Sequence, residues 1–246
     1  MLSCAAVNDE SRGTPSLPPL PPVDPARAAG GADVTPEAFA GFLTDGDTEV
    51  AAWALRRMLA RRSRAEVYDT FVRAAMRLVG ERWLTGRWTI SEEHLATRTL
   101  VRVLAEVAPD PGAGRLGPGA VLAGVSGEEH SVGIIALGHI LTEAGFDVAD
   151  LGADVPADDL VRYVAKTGPG LVAIAASTNV REEVLRDTVT ALQALPRRPA
   201  IVVGGRIAEV ADLTDLGVDW TGSSLVEVAR FASGLAARIG TDGASA

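Results

Sequence analysis

The chain has 246 residues, 47% hydrophobic and 22% charged, with a formal net charge of −9 at neutral pH. That length holds one large or two small domains. The acidic balance argues against a general nucleic-acid binder, because phosphate contact needs clustered positive charge, and no apolar run is long enough to span a membrane. Cys4 is the only cysteine, which excludes an internal disulfide and a cysteine metal cluster and fits a reducing, cytoplasmic setting.

Residues 1–34 have no apolar periodicity. Pro15, Pro18, Pro19, Pro21, Pro22 and Pro25 favour extended or disordered chain. The run Leu17–Pro22 has the form of a ligand for a proline-recognising domain, but a solvated tail is the simpler reading. Leu2-Ser3-Cys4-Ala5 superficially resembles a lipoprotein cleavage box, yet no basic and apolar segment precedes it.

Residues 35–109 read as a four-helix bundle. Thr35-Pro36-Glu37 is a helix start: a capping hydroxyl, Pro at the first helical position, then an acid. Phe39, Phe42 and Leu43 mark the first helix, ended by Asp45-Gly46-Asp47; Val50, Trp53, Ala54 and Met58 mark the second. Val67, Phe71, Ala74 and Leu78 mark the third, stopped by Gly86. Ile90, His94, Thr97, Val101 and Leu104 are spaced to line one face of the fourth. Arg56, Arg57, Arg61, Arg62 and Arg64 cluster between the second and third helices and read as a solvated face.

Residues 110–118, rich in Pro and Gly, read as a linker. Residues 119–240 then alternate apolar runs with helical stretches. The strand candidates are Ala120–Val125, Val148–Leu151, Leu171–Ala175, Ala200–Val203 and a weaker Val218–Thr221. The helix candidates are Ser131–Ala144, Pro156–Lys166, Glu182–Leu195, Ile207–Leu216 and Ser224–Ile239, with 241–246 as a tail. Strands that each precede a helix imply a parallel sheet covered on both faces. The expected class is α/β: a helical bundle followed by a flavodoxin-like or Rossmann-like five-stranded domain. Right-handed crossovers put the binding loops at the carboxyl edge of such a sheet.

Three loops at that edge carry unusual residues. The first holds Glu128, His130 and Gly133. An imidazole can ligate a metal through one nitrogen while a carboxylate takes the proton on the other and fixes the tautomer. A Gly in the first helical turn leaves room for a bulky ligand. The second is Ser177-Thr178-Asn179, where a hydroxyl could also cap the next helix. The third is Gly204-Gly205-Arg206, where paired glycines permit close backbone approach to a flat ligand.

Together these loops resemble the cobalamin-binding domain shared by methionine synthase, corrinoid methyl carriers and B12-dependent mutases. The family pattern Asp-x-His-x-x-Gly, Ser-x-Leu, Gly-Gly stands here as Glu128-x-His130-x-x-Gly133, Ser177-Thr178-Asn179 and Gly204-Gly205, with Asn179 departing from Leu. Leu151-Gly152-Ala153-Asp154-Val155-Pro156 also looks like the family's second-strand loop. The resemblance implies that His130 replaces the nucleotide base as cobalt's lower ligand, making it the metal residue. It also implies that Ser177, Gly204 and Gly205 line the detached nucleotide tail.

Trp83 and Glu93-His94 are separated by nine residues, near the end of the third helix and the start of the fourth. This Trp-x9-Glu-His pattern, and Glu rather than Asp at the head of the His motif, resembles the light-sensing adenosylcobalamin-dependent regulators of carotenoid genes. The resemblance implies that Trp83, Glu93 and His94 cap the upper face. A regulator of that group carries a His beside the Trp, where this chain has Leu84, and such regulators place a helix-turn-helix domain before the bundle, where this chain has the Pro-rich segment.

The expected function is therefore a cobalamin-binding sensor, with adenosylcobalamin favoured over methylcobalamin. It would act through a protein partner or homo-oligomer, without direct nucleic-acid contact, membrane attachment or catalysis of its own. The alternative is the corrinoid carrier subunit of a methyltransferase system.

Overall fold

The computed structural model describes residues 34–110, 112 and 116–243, the side chains of 241–243 aside. The Pro-rich segment up to residue 33 with its Cys4, residues 111 and 113–115 of the Pro- and Gly-rich stretch after Pro109, and residues 244–246 lie outside the described residues.

Four helical runs come first. Helix α1, Pro36–Thr44, starts at Thr35, whose hydroxyl accepts the Ala38 amide. Helix α2, Thr48–Leu59, is capped by Asp47. The third run, α3, is continuous but not uniform: Arg64–Glu66, a π-helical segment Val67–Val72, then Arg73–Leu84. The Arg73 amide donates to the Tyr68 carbonyl, a five-residue step that α-helices do not make. Helix α4, Ile90–Glu106, opens with a capping box in which Thr89 and Glu92 satisfy each other's amides.

The inward stripe of α4 differs from the expected one. Ala96, Thr99, Leu100, Val103 and Leu104 are buried, whereas Ile90 and His94 are exposed. The expected stripe took in His94 and Ile90 because they keep helical spacing with Leu104. The packed face is rotated from it, and leaves the first turn of α4 turned out of the bundle.

The second part alternates as expected: β1 Gly119–Gly124, α5 Ser131–Glu143, β2 Asp147–Asp150, α6 Ala157–Thr167, β3 Leu171–Ala175, α7 Glu182–Gln193, β4 Ala200–Gly204, β5 Trp220–Gly222 and α8 Leu225–Gly243. All pairs are parallel, in the order β2-β1-β3-β4-β5. Helix α8 runs three residues into the segment expected as a tail.

One expected helix is absent. Between β4 and β5 stand only two 3₁₀ turns, Arg206–Glu209 and Thr214–Leu216. The Asp212 carboxylate takes both the amide and the hydroxyl of Thr214, a local bond that competes with helix formation.

Alternation along the strands divides the core. Ala120, Leu122, Ala173 and Val202 face α5, α8 and the bundle, forming one apolar cluster with Phe39, Leu55 and Leu100. Val121, Ala123, Ile174 and Val203 face α6 and α7. The bundle therefore lies across α5 and α8 on one side of the sheet, and both parts share a core. Strand order reverses between β1 and β3, so the loops that follow them diverge and leave a crevice at the carboxyl edge.

Candidate functional site

The His130 loop sits at that crevice. Gly124, at the end of β1, makes it possible: a Cβ there would come within 2.9 Å of both Glu128 Cγ and Ile134 Cδ1. The missing side chain is the space into which Glu128 folds back. Its side chain is only 3% exposed, and it is one of few buried charged groups among the described residues.

Glu128 is well satisfied there. One carboxyl oxygen accepts both the His130 amide and the His130 ring Nδ1–H, each at 2.7 Å. The Ser177 side chain, from the loop after β3, lies near enough to the same carboxyl to help hold it ionised. Burial pushes the Glu128 carboxyl up, but the His130 ring, the His130 amide and Ser177 together outweigh it and hold Glu128 below the usual carboxylate range. His130 responds in the opposite sense. The hydrogen bond to Glu128 raises it, burial opposes, and the charges of Glu128, Glu129 and Glu93 add to the rise.

The ring itself is 64% exposed. With Nδ1 committed to Glu128, Nε2 is the nitrogen left to face outward. Metal ligation requires that nitrogen deprotonated, so a metal must displace any proton the acidic surroundings hold there. Among the described residues no group of three or more His, Cys, Asp or Glu could hold a metal ion. The donor set is thus one oriented imidazole, which suits a metal that arrives with its other ligands already in place, as in a corrin. Gly133 supports that fit: a Cβ there would meet nothing within 4 Å.

The neighbouring loops are stitched to each other. The loop after β2 braces the first: Gly124 donates to Gly152, Val155 donates to Gly124, and the Asp154 carboxylate accepts the Gly127 amide at 2.9 Å. Asp154 stands at φ +56°, the only described non-glycine residue at positive φ. Gly204 and Gly205 lie against the loop after β3. Ala176 donates to the Gly204 carbonyl at 2.9 Å, and a Cβ on Gly205, at φ +109°, would come within 2.2 Å of the Ala176 carbonyl oxygen. Only glycine can turn the chain there.

Ser177 does not cap α7, which begins five residues later without a side-chain cap. Its hydroxyl accepts the Asn179 amide at 3.4 Å instead.

On the bundle, Trp83 lies in the last turn of α3 and Glu93 in the first turn of α4. The connection between them turns at Gly86, φ +70°, and puts both at the same end. Trp83 is 43% exposed, and Leu84 and Ile90 beside it are also exposed. Glu93 accepts the Thr97 hydroxyl at 2.9 Å, and its second oxygen lies 3.6 Å from His94 Nε2. Helix α4 packs along α5, and Arg64 joins their C-terminal ends through the Val107 carbonyl and Glu143, so the first turn of α4 with Glu93 lies at the His130 end of α5.

Sequence reasoning missed Gly124 and Asp154 as builders of the loop. It also missed Tyr68, Asp69 and Arg73, which tie the bundle to the sheet. Tyr68 donates to His139 Nδ1 at 2.9 Å while accepting from Arg64, and Arg64 also bonds Glu143 and the Val107 carbonyl at 2.7 Å. These contacts depend on an irregular turn that apolar spacing does not disclose. Among the described residues, no helix is long and apolar enough to cross a membrane.

Comparison with known proteins agrees with the geometry. Residues 118–228 match one B12 binding domain model and residues 37–107 match a second. The HTH-type transcriptional repressor CarH of Myxococcus xanthus is 34% identical over 155 residues, covering 63% of this chain and 52% of that protein. Dimethylamine corrinoid protein 3 of Methanosarcina acetivorans is 26% identical over 158 residues, 63% of this chain and 74% of that protein. The chain spans about half the length of the repressor. The solved structure of the Methanosarcina barkeri monomethylamine corrinoid protein superposes with a TM-score of 0.63 at 20% identity, covering 81% of this chain and 97% of that one, and shares its fold. With both its bundle and its sheet domain matched, the chain belongs to the B12-binding domain family and binds cobalamin.

Proposed function

We propose that this protein is a cobalamin sensor, responsive to light through adenosylcobalamin, that passes its signal to a protein partner or to further copies of itself. The observation that carries the reading is that the first turn of α4, with Glu93, lies at the His130 end of α5, because Arg64 ties the C-terminal ends of the two packed helices together. A cap at that end suits a protein that holds its cofactor under cover. When bound, cobalamin supplies a cobalt–carbon bond that light can break.

The chain's own residues do the rest. His130 would hold the metal from below through Nε2, with Glu128 keeping the Nδ1 proton and Ser177 steadying Glu128. Gly133, Gly204 and Gly205 would leave room for the ring and its tail. Trp83, Glu93 and His94 would cover the upper face. Loss of the upper group would remove what the bundle end rests on and shift the bundle between two positions. The likeness to the repressor CarH, at 34% identity, supports this reading.

A second reading is supported by the likeness to dimethylamine corrinoid proteins: a corrinoid carrier working with a methyltransferase. Trp83 and Glu93 favour the sensor, because a carrier's cover must open to substrate. The deciding experiment is illumination of the adenosylcobalamin-bound protein followed by size-exclusion chromatography. The sensor reading expects a changed spectrum and a changed elution volume. Unchanged elution, with methyl transfer from a simple methyl donor and a partner enzyme, supports the carrier.

A further inference from the structure

The π-helical segment Val67–Val72 carries two consecutive residues that reach into the second domain. Tyr68 meets His139 on α5, and Asp69 meets the start of α8. The first contact lies nine residues along α5 from His130, roughly 13 Å down the helix and away from the site. The second lies at the carboxyl edge, immediately after β5.

Asp69 is a cap borrowed by α8. Its Oδ2 accepts the Ser224 hydroxyl at 2.9 Å and the Val226 amide at 3.0 Å. Its Oδ1 accepts Arg73 at 2.6 Å. Arg73 donates onward to the Ser223 carbonyl and faces Glu209 at 3.8 Å. Glu209 closes the 3₁₀ turn that opens at Gly205. Arg73 therefore joins three pieces of chain: the π-turn of the bundle, the start of α8, and the turn after the glycine pair.

These contacts are unequal. The Asp69 bonds are short and largely shielded from solvent. The Glu209 contact is the longest of the set, and both partners are about one-third exposed, at 33% and 34%. A loose ion pair of that kind is easily remade, whereas the cap is not.

We propose that Arg73 couples the Gly204–Gly205 turn to the seating of the bundle. Occupation of the space beside that turn moves Glu209, alters its hold on Arg73, and so changes how firmly Asp69 caps α8. The proposal rests on the reading of the glycine pair as part of the cobalamin site. It makes Asp69 and Arg73 positioning residues and gives the sensor a physical route from lower loops to bundle. A partly exposed pair limits the coupling to about two- to fivefold.

Amide hydrogen exchange at Val226–Val228, read by mass spectrometry in the full chain, tests it in two arms. Without cofactor, Asp69→Ala should speed exchange there about fivefold or more, as loss of a helix cap does. Unchanged exchange overturns the role of Asp69 as the cap, or latch, of α8. With saturating adenosylcobalamin, the wild type should change its exchange at the same amides by about two- to fivefold. Glu209→Gln should take up the cofactor equally well by absorbance titration and lose that change. A Glu209→Gln protein that keeps the full change overturns the coupling, as does uptake by the wild type with no change at all. Absence of any cofactor uptake by the wild type overturns the cobalamin reading, and the coupling with it, while the cofactor-free arm still reports on the latch.

Discussion

Glu128 Oε1 accepts two hydrogen bonds from His130, from the ring Nδ1 and from the backbone amide, each at 2.7 Å. The two bonds fix the ring's position and its tautomer together. A carboxylate this buried can do so only because Gly124 vacates the space behind it.

Glu128→Ala should keep the imidazole but lose its orientation, and weaken cobalamin affinity about 10- to 100-fold, as loss of a carboxylate behind a ligating His does. Absorbance titration with hydroxocobalamin measures it. Equal affinity in variant and wild type would show that the pair has no part in binding.

Glycines at the site should divide by what surrounds them. Gly205→Ala forces a Cβ against the Ala176 carbonyl at positive φ and should cost about 2 kcal/mol or more in urea unfolding. Gly133→Ala enters open space on a helix and should stabilise the cofactor-free protein by about 0.5–1 kcal/mol. Gly133→Leu should fold as well as the wild type yet take up cobalamin at least about tenfold more weakly, because the open space is where the ring would pass. A Gly133→Leu protein with wild-type uptake would remove Gly133 from the site.

Trp83 is partly exposed at the bundle's open end, so Trp83→Ala should change the stability of the cofactor-free protein by less than about 1 kcal/mol. It should leave lower-face binding largely intact and alter the photolysis kinetics of bound adenosylcobalamin. Unaltered kinetics would count against Trp83 as part of the cap.

His139 predicts an acid-dependent weakening of the bundle's seat. Burial, with Arg64's charge adding, lowers its pKa from 6.5 to about 4. The folded state therefore resists a proton that the unfolded chain accepts. The stability this reflects is fully present above pH 6.5 and is lost as pH falls towards 4. Allowing for partial contact with solvent, the wild type should lose about 1 kcal/mol more than His139→Gln between pH 7 and pH 5. Other titrating groups, including His130 with its raised pKa, are common to both proteins and cancel in the difference. Urea unfolding at the two pH values is the measurement, and parallel behaviour of the two proteins would refute it.

Much of this was legible in the sequence, for identifiable reasons. Strands β1, Gly119–Gly124, and β3, Leu171–Ala175, are apolar runs between helical stretches, and a parallel sheet covered on both faces leaves them no other form. Glu128 and His130 are two residues apart in one loop, so their pairing needed no long-range information. The inward face of α4 was less legible, because Ile90 keeps helical spacing with the core yet sits at the bundle's open end. The helix expected over Ile207–Leu216 lost to a side-chain bond between Asp212 and Thr214. Asp69 and Arg73 gave no signal at all: their partners lie about 150 residues away and meet them only through a π-turn.

His130 as the metal residue is tested by the dark absorption spectrum of the wild type and of His130→Ala, each loaded with adenosylcobalamin. Ligation by His130 predicts a base-off, His-ligated spectrum for the wild type, and weak or base-on binding for the variant. A His130→Ala protein that keeps the wild-type spectrum would contradict it.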